Sequence, residues 1–396
     1  MILFLLVLAL KIYPSSLESN NMAETTISSN ISAFVSQLAD STAQGNFVVD
    51  SQGNLYALGF ISGTSWEIYK STDDGGTWSK LGSTITMSSN NTAKIAIDSN
   101  DTPHVVYFRS TKIFHRIYTS GAWSAETTIA TFAATAVGTL SLIPFSTGKL
   151  GLVAGEVASA TKTYAFEYNG SSWDAGTVIA AYTGNAVLAI DSQGDWHVAF
   201  NRFASGVYYA KRTAGTWGAA AQTISNTPFS GGINITVDAA DSPHIVCTLR
   251  ITSNTNEEIR HIYNTGSWTS EVLATGTVNR FLYYQTPAPL VLFVPASGYR
   301  LRQIYAPSNY TPRARHQTLA DPTSGQLIFI WFLNSNSSAF SNDLLQMRVK
   351  NGSLGSITTV KDFGTNLTSL WGHAALIYTP PPPPAVSAGY SYIQNC

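Results

Sequence analysis

Charged residues are scarce in this chain, and the scarcity restricts its partners. Of 396 residues, 22 are Lys or Arg and 23 are Asp or Glu, so 11% are charged and the formal net charge is −1. A typical soluble domain has about 25%. The sequence contains no basic run, so it lacks the electrostatic footprint that binding to a phosphate backbone requires. We therefore expect no nucleic-acid partner.

Cysteine and long apolar runs are also scarce. Cys247 lies inside an apolar segment and Cys396 is the last residue, so no disulfide framework is expected. The longest apolar run near the start, residues 2–10, is shorter than the roughly 20 residues that cross a bilayer, which predicts no transmembrane segment. Residues 1–19 fit a signal peptide in part, but no basic residue precedes the run, and Met22 is an alternative start.

Aromatic and small polar residues are abundant instead. Hydrophobic residues make up 44% of the chain, including 9 Trp, 19 Tyr and 18 Phe, which is enough apolar area to exclude a disordered chain. The polar remainder is mostly Ser, Thr, Asn and Gly, residues that suit turns between short strands better than helices. The composition predicts an all-β fold.

Two landmarks repeat along the chain with one period of about 47 residues. The first is an Asp that follows an alternating apolar run and opens a turn before a second run, at Asp50, Asp98, Asp191 and Asp238. The second is a Gly-containing turn followed by a tryptophan, at Trp78, Trp123, Trp173, Trp217 and Trp268. Each repeat is long enough for four strands.

Two weaker copies near the C-terminus, the sixth at residues 283–311 and the seventh at residues 319–360, bring the repeats to seven. Four strands in each repeat, with no helical pattern between them, predict a β-propeller of about seven four-stranded blades, with six or eight also compatible. Concatenated β-sandwiches are the competing architecture, but they do not repeat a turn motif at so regular a period. We assign the propeller to residues 34–378, between an N-terminal segment (1–33) and a Pro-rich tail (379–396) that contains five consecutive prolines.

One of the tryptophan turns carries a family motif. Residues 71–78, STDDGGTW, match the S-x-D-x-G-x-T-W pattern, which resembles the Asp box of the sialidase-like BNR-repeat propellers. The other turns keep Gly and Trp without the Asp. The resemblance implies that the box joins the third and fourth strands of a blade, on the rim opposite the active site. We expect Ser71, Asp73, Gly75 and Trp78 to be structural, since such groups close a turn and pack between sheets.

Histidine and arginine recur at fixed places in the repeat. His104, His197 and His244 occupy one position, six residues after the turn Asp, and the repetition favours a structural role over metal binding. We expect no metal and no cofactor. Arg109, Arg202 and Arg250 follow these histidines by five or six residues, where the second strand of each blade ends. The resemblance implies that this end lies on the rim opposite the box, which is the candidate ligand rim.

The arginines suggest anion recognition, because guanidinium groups bind carboxylates through two parallel hydrogen bonds. The resemblance implies the same, since sialidases hold their substrate's carboxylate with three arginines, but no tyrosine nucleophile or glutamate base is identified by spacing. Aromatic candidates for ligand contact on this rim are Trp66, Phe114, Phe203, Tyr299 and Phe340.

These features support three functional hypotheses. The first is non-catalytic recognition of a carbohydrate or another cell-surface ligand. The second places such a propeller in a virion, as a phage tail or receptor-binding component docked to scaffold proteins by one of its terminal segments. The alternative is an exo-sialidase or another glycoside hydrolase that uses the arginine cluster. The expected location is extracellular or on a virion.

Overall fold

A computed structural model describes most of the chain. The described residues are 24–28, 46–62, 64–87, 92–132, 137–156, 162–181, 185–202, 206–224, 232–252, 256–277, 290–294, 299–307, 313–317, 325–334, 343–362 and 370–378. They form strands and turns without a helix. No membrane-spanning helix is found among these residues.

The strands, in chain order, are β1 (Glu24–Thr26), β2 (Phe47–Val49), β3 (Leu55–Ser62), β4 (Ser65–Ser71), β5 (Ser79–Lys80), β6 (Ile85–Thr86), β7 (Ala93–Ile97), β8 (Pro103–Arg109), β9 (Lys112–Thr119), β10 (Ala122–Trp123), β11 (Thr127–Thr131), β12 (Val137–Ser146), β13 (Lys149–Glu156), β14 (Thr163–Tyr168), β15 (Thr177–Ala180), β16 (Ala186–Ile190), β17 (Trp196–Arg202), β18 (Gly206–Thr213), β19 (Thr216–Trp217), β20 (Ala221–Ile224), β21 (Ile233–Val237), β22 (Pro243–Thr252), β23 (Asn256–Asn264), β24 (Trp268–Thr277), β25 (Leu290–Val294), β26 (Tyr299–Pro307), β27 (Arg313–Gln317), β28 (Gln326–Asn334), β29 (Asp343–Asn351), β30 (Ser353–Leu354), β31 (Thr358–Asp362) and β32 (Leu370–Tyr378).

These strands form seven antiparallel sheets within the described residues. From the inner to the outer strand the blades are β2-β3-β4-β5, β7-β8-β9-β10, β12-β13-β14-β15, β16-β17-β18-β19, β21-β22-β23-β24, β25-β28-β29-β30 and β32-β26-β27-β1. The short strands β6, β11, β20 and β31 pair with the third strand of their blades. Each inner strand contacts the inner strands of the two neighbouring blades, which closes a ring. The fold is a seven-bladed β-propeller.

The core lies between the blades rather than inside any one of them. Where an inner or second strand is covered on both faces its residues are buried without alternation, as in β7 and β8. Trp123 of blade two donates its indole N–H to the carbonyl of Leu81 in blade one at 3.1 Å. The ring of Trp268 in blade five packs 4.9 Å from that of Tyr209 in blade four. Trp123 and Trp268 therefore join neighbouring blades.

The seventh blade is assembled from distant parts of the chain. Its inner strand is the C-terminal β32, and its outer strand is the N-terminal β1, which pairs with β27. Ile27, directly after β1, is buried against the first blade. The propeller therefore includes residues 24–27, which sequence reasoning placed in the N-terminal segment. The hairpin β26–β27 belongs to this blade, although its position in the sequence predicted the sixth.

Candidate functional site

The direction of the strands divides the propeller into two rims. In blade two, β7 and β8 are joined by a turn at residues 98–102, and β8 ends at Arg109 on the other side. We call the side of these turns the turn rim and the other side the Arg109 rim. Because antiparallel strands reverse at each connection, the turn between β4 and β5, whose residues 71–78 resemble an Asp box, lies on the turn rim.

Residues 71–78, which resemble an Asp box, form a self-contained turn in this structure. Asp73 Oδ1 accepts hydrogen bonds from the Thr77 N–H and the Ser71 hydroxyl, both at 2.8 Å. These bonds, that of the Thr77 N–H foremost, lower the pKa of Asp73 to about 2. Ser71 Oγ accepts the N–H of Gly75 at 2.7 Å, and Gly75 accepts the indole N–H of Trp78 at 3.1 Å. Gly75 has φ +86°, which glycine adopts without steric strain.

The repeated turn aspartates cap the hairpins of the turn rim. Asp98 Oδ1 accepts the N–H groups of Asn100 at 2.9 Å and Thr102 at 2.8 Å. The equivalent pair of bonds forms at Asp50, Asp191 and Asp238. The backbone occupies Oδ1 of each carboxylate and side chains occupy Oδ2, so these aspartates are poorly placed to act as acids or bases on a ligand.

The repeated histidines extend each cap into a hydrogen-bonded chain. In blade two, His104 Nε2 lies 3.3 Å from Asp98 Oδ2, and His104 Nδ1 lies 2.9 Å from His115 Nε2. His115 Nδ1 accepts the indole N–H of Trp173 in blade three at 3.1 Å. Because an indole N–H only donates, His115 accepts at Nδ1 and carries its proton on Nε2, which donates to His104. His104 in turn carries its proton on Nε2, which donates to Asp98. Each imidazole therefore has one proton and is neutral.

Related chains occur in two other blades. His197 joins Asp191 at 2.9 Å to Tyr209 at 2.7 Å. His244 joins Asp238 at 3.1 Å to His261 at 2.9 Å. No cluster of three or more His, Cys, Asp or Glu residues is arranged for a metal ion in the described part of the chain. The histidines thus link the turns to the interior of the blades.

A second link between blades was not found by sequence reasoning. The N–H and hydroxyl of Ser51 in blade one donate to the two carboxylate oxygens of Asp101 in blade two, at 2.8 and 2.7 Å. Ser192 and Asp241 join blades four and five in the same way, at 2.9 and 2.8 Å. The signal in the sequence is an Asp three residues after the turn Asp, in blades two and five.

On the other rim, Arg109 is paired with a glutamate. Its Nη1 and Nη2 donate to the two oxygens of Glu126 at 2.8 and 2.6 Å, and Nη1 also donates to the carbonyl of Thr86 in blade one at 3.2 Å. The guanidinium lies over the ring of Phe114, 4.5 Å from its centre. The two charged side chains are 30% and 27% exposed, so this group is open to solvent at the joint between blades one and two.

Glu126 is held from a second direction by Tyr107, whose hydroxyl donates to Oε1 at 2.6 Å. Burial opposes ionisation of Glu126, but the hydrogen bonds from Arg109 and Tyr107 outweigh it and lower its pKa. Burial, followed by the bond to Glu126, raises the pKa of Tyr107. Sequence reasoning did not find Glu126. Its position three residues after Trp123 is the available signal.

Two buried polar atoms near this joint have no hydrogen-bond partner among the described residues: Trp66 Nε1 and Thr92 Oγ1. Trp66 adjoins Ser65, which pairs with the Thr86 that Arg109 contacts. The carbonyl of Thr92 accepts the N–H of Phe108, the residue before Arg109. Unsatisfied buried polar atoms in native folds need an explanation, such as an ordered water or a ligand.

The other predicted site residues are distributed around the propeller. Arg202 ends β17 in blade four and Arg250 lies in β22 in blade five, so blade three separates both from Arg109. Trp66 is 1% exposed and packs edge-on against Phe60. Its ring is part of the core and is not available to stack on a ligand, which corrects its interpretation as a contact residue.

Tyr299, Phe203 and Phe340 are the remaining aromatic candidates. Tyr299 is the first residue of β26 and so lies in blade seven, not in the sixth blade that the repeat predicted. Phe203 and Phe340 lie outside the described residues.

No protein-family model matches the chain, and no curated protein matches it. Solved structures are similar in fold. An α-L-arabinanase from Penicillium chrysogenum is 14% identical with a TM-score of 0.48, covering 75% of this chain and 98% of that one. AofleA from Arthrobotrys oligospora is 12% identical with a TM-score of 0.47, covering 90% and 92%.

A fucose-specific lectin from Aleuria aurantia is 14% identical with a TM-score of 0.42, covering 57% of this chain and 76% of that one. The lectin and the arabinanase are β-propeller proteins that bind or cleave sugars. At such identities the similarity concerns the fold. The link to the sialidase-like family remains the resemblance of residues 71–78.

Proposed function

We propose that this protein is a non-catalytic recognition propeller that binds a carbohydrate, such as a cell-surface glycan, through the Arg109 rim. The observation that carries the proposal is the Arg109–Glu126 pair, partly exposed at the joint of two blades. Sugars present neighbouring hydroxyl groups, each both a donor and an acceptor. A guanidinium beside a carboxylate offers donors and acceptors in one place, and charge-assisted hydrogen bonds are the stronger ones.

The geometry leaves capacity for a ligand. Three N–H groups of Arg109 are used by Glu126 and Thr86, out of the five that a guanidinium carries. Each carboxylate oxygen of Glu126 has two lone pairs. A ligand hydroxyl can therefore accept from Arg109 and donate to Glu126 without breaking the pair. An extracellular or virion location belongs with this proposal.

The test compares two arginines with similar surroundings on opposite rims. Arg212, at the end of β18 on the turn rim, donates to Glu167 at 2.7 Å and lies 4.9 Å from the ring centre of Trp196. We expect binding to a glycan array to fall by on the order of tenfold or more in Arg109→Ala and to persist in Arg212→Ala. Thermal unfolding of both variants reports whether they fold. Loss of binding only in Arg212→Ala would move the site to the turn rim.

A glycoside hydrolase is the second candidate, and one observation favours it. The Tyr107 hydroxyl, the Glu126 carboxylate and Arg109 lie together, and these are the residue types that the resemblance assigns to a sialidase centre. However, Tyr107 is fully buried and its pKa is raised, whereas a nucleophile must reach the substrate and lose its proton. Turnover of a fluorogenic sialoside that disappears in Tyr107→Phe would favour hydrolysis over recognition.

A further inference from the structure

The Arg109 guanidinium already holds a carboxylate. Its two terminal nitrogens meet the two oxygens of Glu126 in parallel at 2.8 and 2.6 Å, which is the fork-to-fork arrangement by which an arginine binds the carboxylate of a ligand. Glu126 therefore occupies the position that an acidic ligand needs. The arginines in the sequence suggested that the ligand carries a carboxylate. Because Glu126 is already paired with Arg109, we expect a different class of ligand.

Glu126 is fixed in that position. It receives the Tyr107 hydroxyl in addition to the guanidinium, and Arg109 is itself held by the carbonyl of Thr86 and covers the ring of Phe114. An entering carboxylate would have to displace a charge-assisted double hydrogen bond and would meet an ionised carboxylate at the same place. Like charges in contact at a partly desolvated site are unfavourable.

We propose that Glu126 determines the specificity of the Arg109 rim: the site accepts a neutral sugar through its hydroxyl groups and rejects sugars that carry a carboxylate, such as sialic or uronic acids. This inference rests on the proposed function. It assigns to Glu126 a specificity role that is separate from the question of whether the wild-type protein binds glycans.

The test uses a printed array on which each neutral glycan has a partner that differs only by a terminal sialic acid. Wild type, Glu126→Gln and Glu67→Gln are compared. Gln is isosteric with Glu and removes the repelling charge. Glu67 in blade one is the control, since it is a buried carboxylate that accepts hydrogen bonds from Lys80 at 2.5 Å and from the Tyr69 hydroxyl at 2.6 Å. Thermal unfolding confirms that each variant folds.

We expect wild type and Glu67→Gln to bind neutral glycans and to bind their sialylated partners at least tenfold more weakly. In Glu126→Gln the ratio of neutral to sialylated binding should fall at least tenfold. Preferential binding of the sialylated partners by wild type would overturn the specificity role while leaving glycan recognition intact, as would an unchanged ratio in Glu126→Gln.

Failure of the proposed function has a different signature. Wild type could bind neither member of any pair while Glu126→Gln gains binding to the sialylated glycans. That result would support the blocking role of Glu126 and would contradict glycan recognition by the wild-type protein. Absence of binding in all three proteins would overturn both.

Discussion

Lowering the pH from 8 to 5 should destabilise the propeller through its buried histidines. Burial, with a smaller contribution from the neighbouring His104, lowers the pKa of His115 to about 3, from about 6.5 in an unfolded chain. A lowered pKa in the folded state means that the unfolded chain takes up the proton first. The stability is therefore complete above pH 6.5 and is lost progressively as the pH falls toward 3.

The size of the effect follows from these two values. At pH 5, about 1.5 units below the unfolded pKa, the unfolded chain binds this proton and the folded protein does not. Protonation of this one histidine therefore lowers the free energy of unfolding by about 2 kcal/mol. Burial also lowers the pKa of His104, His197, His244 and His261, so the whole protein should lose more than this. Ordinary Asp and Glu residues titrate below pH 5, so they contribute little between pH 8 and 5.

The assay is urea unfolding at pH 8 and pH 5 for wild type, His115→Gln and Lys112→Gln. Gln does not titrate, and its amide can still donate to His104 Nδ1. Lys112 is the control because it is exposed on the same strand. We expect the loss of unfolding free energy between the two pH values to shrink by about 2 kcal/mol in His115→Gln only. The reasoning would be refuted if His115→Gln lost as much unfolding free energy between pH 8 and pH 5 as wild type, or if wild type were as stable at pH 5 as at pH 8.

Three further predictions concern packing. A Cβ at Gly151 would lie 2.9 Å from atoms of Leu188 and Trp196, so Gly151→Ala should cost about 1–3 kcal/mol in urea unfolding; an unchanged midpoint would show that the joint between blades three and four can relax. Asp73→Ala should lower the melting temperature by opening the Asp-box turn, whereas an unaltered melting temperature would show that the turn closes without it. Removing residues 1–28 should lower the melting temperature relative to removing residues 1–22, because β1 and buried Ile27 complete the seventh blade; equal values would show that the N-terminal strand contributes no stability.

Local features of the chain were accessible to sequence reasoning. The spacing of Asp50 to Asp238 and of Trp78 to Trp268 predicted about seven blades, and the described residues form seven. These features are readable because a turn and its capping Asp are a few residues apart, and because alternating or continuous apolar runs follow directly from how a strand is covered.

Partners that are distant along the chain were not accessible. The repeat placed residues 299–307 in blade six and left residues 24–26 outside the propeller, but both complete blade seven. A period shows that strands exist and not which strand lies beside which, since the pairing depends on closing the ring with both ends of the chain.

For the candidate site, too, the sequence determined local features and the tertiary structure decided the partners. The sequence by itself determined that charges are few, that the fold is all-β and that Arg109 ends a second strand. Only the tertiary structure decided that Glu126 occupies its guanidinium and that the Trp66 ring is core. A side chain's partner depends on which strands and blades are brought into contact, and that arrangement exists only once the blades have packed.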